Sequence, residues 1–331
     1  MASSRLLHVP RIDSLLITGS NGFVGKSFLQ YLETLPKDDL PPRICLVSRD
    51  GKFPKITNLE LKARAIFVIA DLEQPWEIPF SASHVAHFAA DGSATAYSPL
   101  SSEKFLRITK NLEKWIKGLD CPTLFFASSG ACFGHVPLKK EGLTQTQGAD
   151  GLFSRNRLEE EKALLVRSRL QAEESLLTLE SSGHIDLRIG RLFSFIGNSL
   201  FNKTQYAVNS FIEMGLSGSE IQINGDPMTV RSYLSEFDMA HWIYKSISQN
   251  IERKYLEIGS AHPVTILELA HEIGAQTGMK VKLPKSYAPG DIYVANSIGT
   301  QALLGVTETI SWQNALASYI TFSREMRNNA R

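Results

Sequence analysis

A large charge imbalance, a long apolar run and an extended cysteine framework are all missing from this chain of 331 residues. Its 35 basic and 34 acidic residues leave a formal net charge of +1, which gives no reason to expect nucleic acid or an anionic membrane as a partner. No apolar run reaches the roughly 18 residues that a membrane span needs. Residues 1–13 also lack the apolar core of a signal peptide. We therefore expect a cytoplasmic protein.

The chain has only three cysteines, Cys45, Cys121 and Cys132. Cys45 and Cys132 lie in apolar segments, which is typical of buried thiols in a reducing compartment. The cysteine and histidine spacings do not match those of zinc sites, so we expect no bound metal. What remains is an ordinary globular composition, 43% hydrophobic and 21% charged. It suits one large or two modest domains.

A glycine motif follows the first apolar segment. Residues 15–17 are typical of a buried parallel strand, and Gly19, Gly22 and Gly25 follow at the spacing G-x-x-G-x-x-G before a helical pattern. In a dinucleotide-binding turn, the first glycine permits the tight turn and the second lets a pyrophosphate approach the backbone. The third glycine lets the helix pack closely on the sheet. The alternative is an ordinary glycine-rich turn, but the segments that follow favour a dinucleotide site.

Strand and helix patterns alternate along the first half of the chain. The apolar strand segments lie at 44–47, 65–70, 84–88 and 123–127, one of the helical segments lies at 102–119, and a sixth strand segment follows in the second half at 185–189. This alternation predicts an α/β fold with a doubly wound parallel sheet.

The end of the second strand bears on the choice between NADP and NAD. An acidic residue there binds the adenosine ribose of NAD, whereas an arginine pairs with the extra phosphate of NADP. Ser48 takes the acidic position and Arg49 follows it, which favours NADP. Asp50 remains an alternative ribose acceptor. After the third strand, Asp71 either accepts a hydrogen bond from the adenine amino group or caps a turn.

Four motifs in this half share one pattern. Residues 18–25 match T-G-x-x-G-F-x-G, residues 71–72 match D-[LVI], residues 87–90 match H-x-A-A, and residues 129–134 resemble S-x-x-V-Y-G. Together they resemble the extended short-chain dehydrogenases/reductases, the NAD-dependent epimerase/dehydratase family of nucleotide-sugar enzymes. The resemblance implies a Rossmann domain at 1–190, to which strands near 254–260 return, and a smaller mixed α/β nucleotide-sugar-binding domain at 191–331.

The resemblance also implies roles for individual residues. Ser129 falls on the catalytic serine or threonine, and Ser194 and Arg231 fall on substrate-binding positions. A homodimer through the helices at 102–119 and 157–182 is implied as well, as is a place in polysaccharide biosynthesis. The residues implied to hold NADP or NAD are Gly19, Ser20, Asn21, Gly22, Phe23, Val24, Gly25, Ser48, Arg49, Asp71, Leu72, Ala89, Ala90 and Arg169.

One part of the family pattern is absent. Members carry Y-x-x-x-K on a long helix, where the tyrosine exchanges a proton with a sugar hydroxyl or ketone and the lysine lowers the tyrosine pKa. Residues 135–205 contain no tyrosine, and the best match places Leu165 at the tyrosine position and Arg169 at the lysine position. A second alignment places Ser154 and Leu158 there instead, and it restores neither partner.

Two functions therefore stay open. One is NAD(P)-dependent epimerisation, dehydration or ketone reduction of a nucleotide sugar, in which Ser129 acts with a substitute acid. The candidates for that acid are Tyr97, Cys132 and His135. The other function is a non-catalytic dinucleotide-binding or regulatory member of the family. Because Leu165 cannot transfer a proton, the sequence predicts that the ordinary family reaction is slow or absent.

Overall fold

The structure is a computed structural model that describes residues 12–90, 98–133, 136–137, 160–201 and 206–329. Several predicted positions lie outside these residues. They are the candidate acids Tyr97 and His135, the alternative positions Ser154 and Leu158, and the first residues of the dimer helix at 157–182.

The strands are, in chain order, β1 (Ser14–Thr18), β2 (Arg43–Ser48), β3 (Ala65–Ile69), β4 (His84–His87), β5 (Thr123–Ser129), β6 (Val136–Pro137), β7 (Asp186–Leu192), β8 (Phe195–Ile196), β9 (Ile221–Gln222), β10 (Val230–Arg231), β11 (Leu234–Ser235), β12 (Tyr255–Ile258), β13 (Val264–Thr265), β14 (Val281–Lys282) and β15 (Asp291–Tyr293). The helices are α1 (Phe23–Glu33), α2 (Leu59–Arg64), α3 (Pro99–Ile116), α4 (Glu160–Ser181), α5 (Ala207–Leu216), α6 (Glu236–Ser248), α7 (Ile266–Thr277), α8 (Ile298–Leu304) and α9 (Trp312–Asn329).

Seven strands form the central sheet, in the order β12-β7-β5-β4-β1-β2-β3. All neighbouring strands in it are parallel. The strand order reverses between β1 and β4, which places the crossover helices on both faces of the sheet. The predicted doubly wound parallel fold is confirmed. β12 comes from late in the chain and extends the sheet beyond β7.

Each face of the sheet packs into its own apolar cluster. Leu15 and Ile17 of β1 belong to one cluster, together with Phe28 of α1 and Trp242 of α6. Leu16 belongs to the other cluster, which includes residues of α3 and α4. This division follows from the alternation of side chains along a strand. Because both faces are covered, the inner strands read as continuous apolar runs in the sequence.

The short strands after β7, other than β12, build a smaller mixed layer together with β6. β10 pairs in parallel with β15 and in antiparallel with β13, and two further short parallel pairs join β8 to β11 and β9 to β14. Residues of α5, α7 and α9 share a third apolar cluster that supports these strands. The layer has the mixed α/β character that the sequence predicts for the later part of the chain.

Asp238 of α6 ties this helix to the loop that precedes α9. Its fully buried carboxylate accepts hydrogen bonds from the backbone N–H groups of Thr309 and Ile310, each at 3.1 Å to Oδ2, and from the Ser235 hydroxyl at 2.9 Å. A buried carboxylate is tolerated here because several donors satisfy it.

We expect Asp238→Ala to lower the free energy of unfolding by roughly 2–4 kcal/mol, because each buried donor left without a partner costs ~1–3 kcal/mol. Denaturant unfolding followed by circular dichroism measures this change. Asp120→Ala is the control, since Asp120 is an exposed turn residue and such changes stay within ~0.5 kcal/mol. Equal losses in the two variants would contradict the role given to Asp238.

Candidate active site

The glycine loop between β1 and α1 lies against the end of β4. Gly19 has a φ of +68°, and a Cβ atom placed on it would lie 2.7 Å from the backbone nitrogen of Ala89. A Cβ atom on Gly25 would collide with the Gly19 carbonyl oxygen and lie 2.6 Å from the Cα atom of Ser20. These two glycines are therefore required by the shape of the loop itself.

Gly22 has a different role, since its φ of −71° and ψ of 172° suit any residue. A Cβ atom there would contact the Gly19 carbonyl oxygen at 3.2 Å and no other described atom within 4 Å. The helix that starts after Gly22, α1, has no side-chain cap and no acidic residue in its first turn. Its first N–H groups are thus available to an anion, and the loop fits a dinucleotide pyrophosphate.

The two charged residues that follow β2 differ in their partners. The Asp50 carboxylate accepts hydrogen bonds from the Lys52 backbone N–H at 3.2 Å and the Ser48 hydroxyl at 3.1 Å. These hydrogen bonds lower the pKa of Asp50. Arg49 is exposed and has no hydrogen bond or ion pair within the described ranges. The side-chain amide of Asn21 donates to the Lys52 carbonyl, so the glycine loop contacts this turn.

The remaining predicted cofactor residues surround the loop. Asp71 is exposed, and its Oδ1 atom accepts the backbone N–H of Glu73 at 3.1 Å, so it caps the turn after β3. Contact of Asp71 with an adenine stays a prediction. Leu72 is buried, whereas Ala89 is half-buried and Ala90 is exposed beside the end of β4.

A buried ion pair fixes α4 on the sheet. Glu173 is 1% exposed and accepts hydrogen bonds from Arg191 Nε at 3.1 Å, from Arg191 Nη2 at 2.7 Å and from the Ser128 hydroxyl at 2.5 Å. The partners come from β7 and β5, so the pair joins three elements. Arg169 lies four residues before Glu173, and Leu165 lies eight residues before it. At this spacing the three residues lie on one side of α4.

Ser129 is the last residue of β5 and follows Ser128. Its Oγ atom accepts a hydrogen bond from the Ala131 backbone N–H at 3.1 Å. Leu165 is half-buried on α4 and has no ionisable group. Arg169 is 7% exposed, and the central carbon of its guanidinium lies 3.3 Å from the centroid of the Phe105 ring in α3. That Arg169 also contacts a cofactor stays a prediction.

Two other titratable groups near this edge are poor proton donors at neutral pH. Burial lowers the pKa of His87 to about 3, with a further contribution from the charge of Arg169. Burial also raises the pKa of the Cys132 thiol to about 11, and the nearby Glu173 carboxylate adds to this effect. Cys132 is also only 6% exposed, so its thiol has little access to a substrate and does not suit the role of substitute acid.

A cavity of about 620 Å³ lies between the glycine loop and the later layer. Phe23 at the start of α1, Ser194 after β7 and Arg231 of β10 all line it. The two residues predicted to bind substrate thus face one space, which also reaches the predicted cofactor loop.

Arg231 is held by β15, a partner that the sequence analysis missed. Its Nη2 atom lies 2.7 Å from Asp291 Oδ1, and its Nη1 atom donates to the Asp291 carbonyl oxygen at 3.2 Å. Tyr293 is the register partner of Arg231 in the β10–β15 pair, and its ring centroid lies 5.9 Å from the guanidinium carbon. Strand alternation alone places Asp291 and Tyr293 on one face, which is the signal available in the sequence.

A family model matches most of the chain. The model of the NAD dependent epimerase/dehydratase family matches residues 15–259. The chain belongs to the NAD-dependent epimerase/dehydratase family. The resemblance drawn from the four sequence motifs is therefore confirmed. No curated protein sequence matches the chain.

Solved structures of similar fold include nucleotide-sugar epimerases and dehydratases. UDP-glucuronic acid 4-epimerase from Bacillus cereus, in complex with UDP-glucuronic acid and NAD, is 17% identical with a TM-score of 0.72, over 95% of this chain and 99% of that one. dTDP-glucose 4,6-dehydratase from Bacillus anthracis, in complex with NAD, is 15% identical with a TM-score of 0.70, over 95% and 97%. At these identities the likeness shows a shared fold.

The residues that the structure describes contain neither a membrane-spanning helix nor a metal centre. Among its helices, none is long and apolar enough to cross a membrane. No group of three or more His, Cys, Asp or Glu side chains in the same residues is placed to hold a metal ion.

We expect Gly22→Val to abolish dinucleotide binding, because its side chain occupies the space in front of α1 while its backbone keeps an allowed conformation. Calorimetric titration with NADP and NAD measures the affinity, and thermal unfolding checks that the variant folds. Gly118→Val, in a turn after α3, is the matched control, since Gly118 has no positive φ and only an ordinary Cβ contact. Equal affinity in wild type and Gly22→Val would refute the assignment of the loop.

Proposed function

We propose that the protein is an NADP(H)-dependent enzyme that epimerises, dehydrates or reduces a nucleotide sugar. The observation that carries this proposal is the single cavity that joins the start of α1 to Ser194 and Arg231. Structures of the same fold support the substrate class, because they were solved with UDP-glucuronic acid or UDP-glucose together with NAD. When bound, the dinucleotide would supply or accept a hydride at its nicotinamide ring.

The preference for NADP rests on the turn after β2. Asp50, the alternative acceptor for a ribose hydroxyl, already accepts hydrogen bonds from Ser48 and Lys52. Arg49 is exposed beside it and has no partner in the described residues. A free guanidinium suits a phosphate, to which it can donate two parallel hydrogen bonds.

We expect Arg49→Ala to reduce the preference for NADP over NAD roughly three- to tenfold, because an exposed charge-assisted pair contributes on the order of 1 kcal/mol. Calorimetry with both dinucleotides at constant salt measures the ratio. Lys62→Ala removes an exposed positive charge from α2 and serves as the control. Tighter binding of NAD than of NADP by the wild type would overturn the preference.

The substrate proposal rests on the charges in the cavity. Among the described residues that line the cavity, Arg231 is the cationic one, and a guanidinium is the group best shaped to hold a diphosphate. In this chain the same guanidinium is paired with Asp291 at 2.7 Å. A diphosphate must therefore compete with an internal carboxylate, which weakens its binding but selects ligands that can displace or share that contact.

We expect Arg231→Ala to weaken the binding of a nucleotide sugar at least tenfold, and Asp291→Asn to strengthen it severalfold because the competing charge is removed. Thermal-shift screening with UDP-, dTDP-, GDP- and CDP-sugars finds the ligand, and titration compares the variants. Arg327→Ala is the control, since Arg327 pairs with Glu213 rather than with Asp291. A screen in which no nucleotide sugar changes the melting temperature would contradict the substrate class.

A second function, that of a non-catalytic binding or regulatory protein, is favoured by Leu165 and by the burial of Arg169 against Phe105. The two functions differ in turnover. Purified protein supplied with the bound nucleotide sugar and each dinucleotide should transfer hydride or form product if it is an enzyme. Rates of about 1–10³ s⁻¹ are ordinary for enzymes. Tight binding of both ligands without turnover would support the non-catalytic function.

A further inference from the structure

The reaction proposed above needs a proton donor and acceptor. Converting a hydroxyl to a ketone, or the reverse, moves a proton at the sugar oxygen, and a positioned side chain accelerates that transfer. Leu165 has no ionisable group, and His87 and Cys132 are almost fully buried, 1% and 6% exposed, whereas Tyr293 is half-buried. These three described side chains therefore do not supply the proton.

Tyr293 of β15, in the smaller layer, lies near the C-terminal end of β5, where Ser129 lies. A Cβ atom built on Gly130, the residue after Ser129, would lie only 2.8 Å from the Tyr293 hydroxyl oxygen. That hydroxyl donates to the Leu192 carbonyl oxygen at 3.4 Å. Leu192 is the register partner of Ser129 between β7 and β5. The Tyr293 phenol therefore sits directly beside the end of β5.

The surroundings of Tyr293 connect it to the cavity. Its ring packs on Phe193 with centroids 4.9 Å apart, and the Arg231 guanidinium carbon lies 5.9 Å from its centroid. Phe193 and Arg231 both line the cavity. Tyr293 thus lies between the residues proposed to bind the substrate and the strand end that carries Ser129.

Gly130 makes this position of the phenol possible. Any Cβ atom on residue 130 would lie within 2.9 Å of both the Tyr293 hydroxyl and the Phe193 ring. A larger residue would push the hydroxyl away from the strand end. The glycine and the tyrosine are 163 positions apart in the sequence, so only the folded chain brings them together.

We infer that Tyr293 is the catalytic proton donor and acceptor of this protein, an inference that rests on the proposed function. In ketone reduction, a bound reduced nicotinamide would supply the hydride to the carbonyl carbon, the C=O π electrons would move to oxygen, and this oxygen would take the phenolic proton of Tyr293. The phenolate then recovers a proton from solvent. In the oxidative direction the phenolate takes the hydroxyl proton as the hydride leaves carbon for the oxidised nicotinamide.

The first test measures the titration of the Tyr293 phenol and requires no turnover. Tyrosinate absorbance is followed against pH with and without NADP⁺, in wild type, Tyr293→Phe and Tyr287→Phe. Tyr287 is the matched control because it is an exposed tyrosine, 52% accessible, in the loop before β15. A cationic nicotinamide near the phenol favours the phenolate. We therefore expect NADP⁺ to shift the titration of one tyrosine in wild type and in Tyr287→Phe, but not in Tyr293→Phe.

Three results would count against the inference in distinguishable ways. A shift that persists in Tyr293→Phe assigns the titrating phenol to another residue and overturns it. NADP⁺ binding without any shift in the wild type also overturns it, but leaves the proposed cofactor intact. Failure to bind any dinucleotide removes the proposed function together with the inference.

The second test uses turnover of the nucleotide sugar found by screening. Tyr293→Phe keeps the ring that packs on Phe193 and Arg231, so we expect KM to change little while kcat falls about 10²–10⁴-fold. Gly130→Ala should also lower kcat by displacing the hydroxyl, whereas Tyr287→Phe should retain wild-type kcat. Wild-type kcat in Tyr293→Phe would overturn the inference.

Discussion

The buried ion pair of Glu173 and Arg191 is the interaction on which the relative placement of α4, β5 and β7 depends. Moving two charges into the protein interior is costly, and the cost is offset only when the hydrogen bonds are complete. Here the carboxylate has the forked guanidinium and the Ser128 hydroxyl as donors. The guanidinium in turn lies near the rings of Phe133 and Tyr255. Removing either charge would leave the other unpaired, so α4, β5 and β7 keep one relative position.

A second ion pair organises the cavity in a different way. Arg231 and Asp291 are each about one-quarter exposed, so their attraction is weaker and open to competition from a ligand. Both belong to strands of two or three residues, β10 and β15, that would not be stable alone. Their pairing places Tyr293 opposite Arg231. One short strand therefore supplies both a counter-ion for Arg231 and a phenol whose hydroxyl lies beside Gly130, the residue after β5.

Much of the fold could be predicted because its signals are local. The positive φ of Gly19 and the close packing of Gly25 act within a few residues, and the apolar runs of the inner strands reflect burial on both faces. The ion pair of Asp291 and the position of Tyr293 could not be predicted, because they depend on how two remote short strands align. The exposed fraction of a side chain could not be predicted from the apolar pattern of the sequence either. Ile69 lies in an apolar run yet is 68% exposed, since β3 is the edge of the sheet.

The late return of β12 ties the folding of the two layers together. During synthesis the earlier strands leave the ribosome first, and β7 then has an unpaired edge until residues 255–258 arrive. The intervening residues 193–254 include β8 to β11, α5 and α6, so much of the smaller layer must be made before the sheet is complete. An open edge of buried apolar residues is prone to pair with other chains. A chain halted before residue 255 would therefore leave β7 without its neighbour β12, and it would be prone to associate with other chains through that strand.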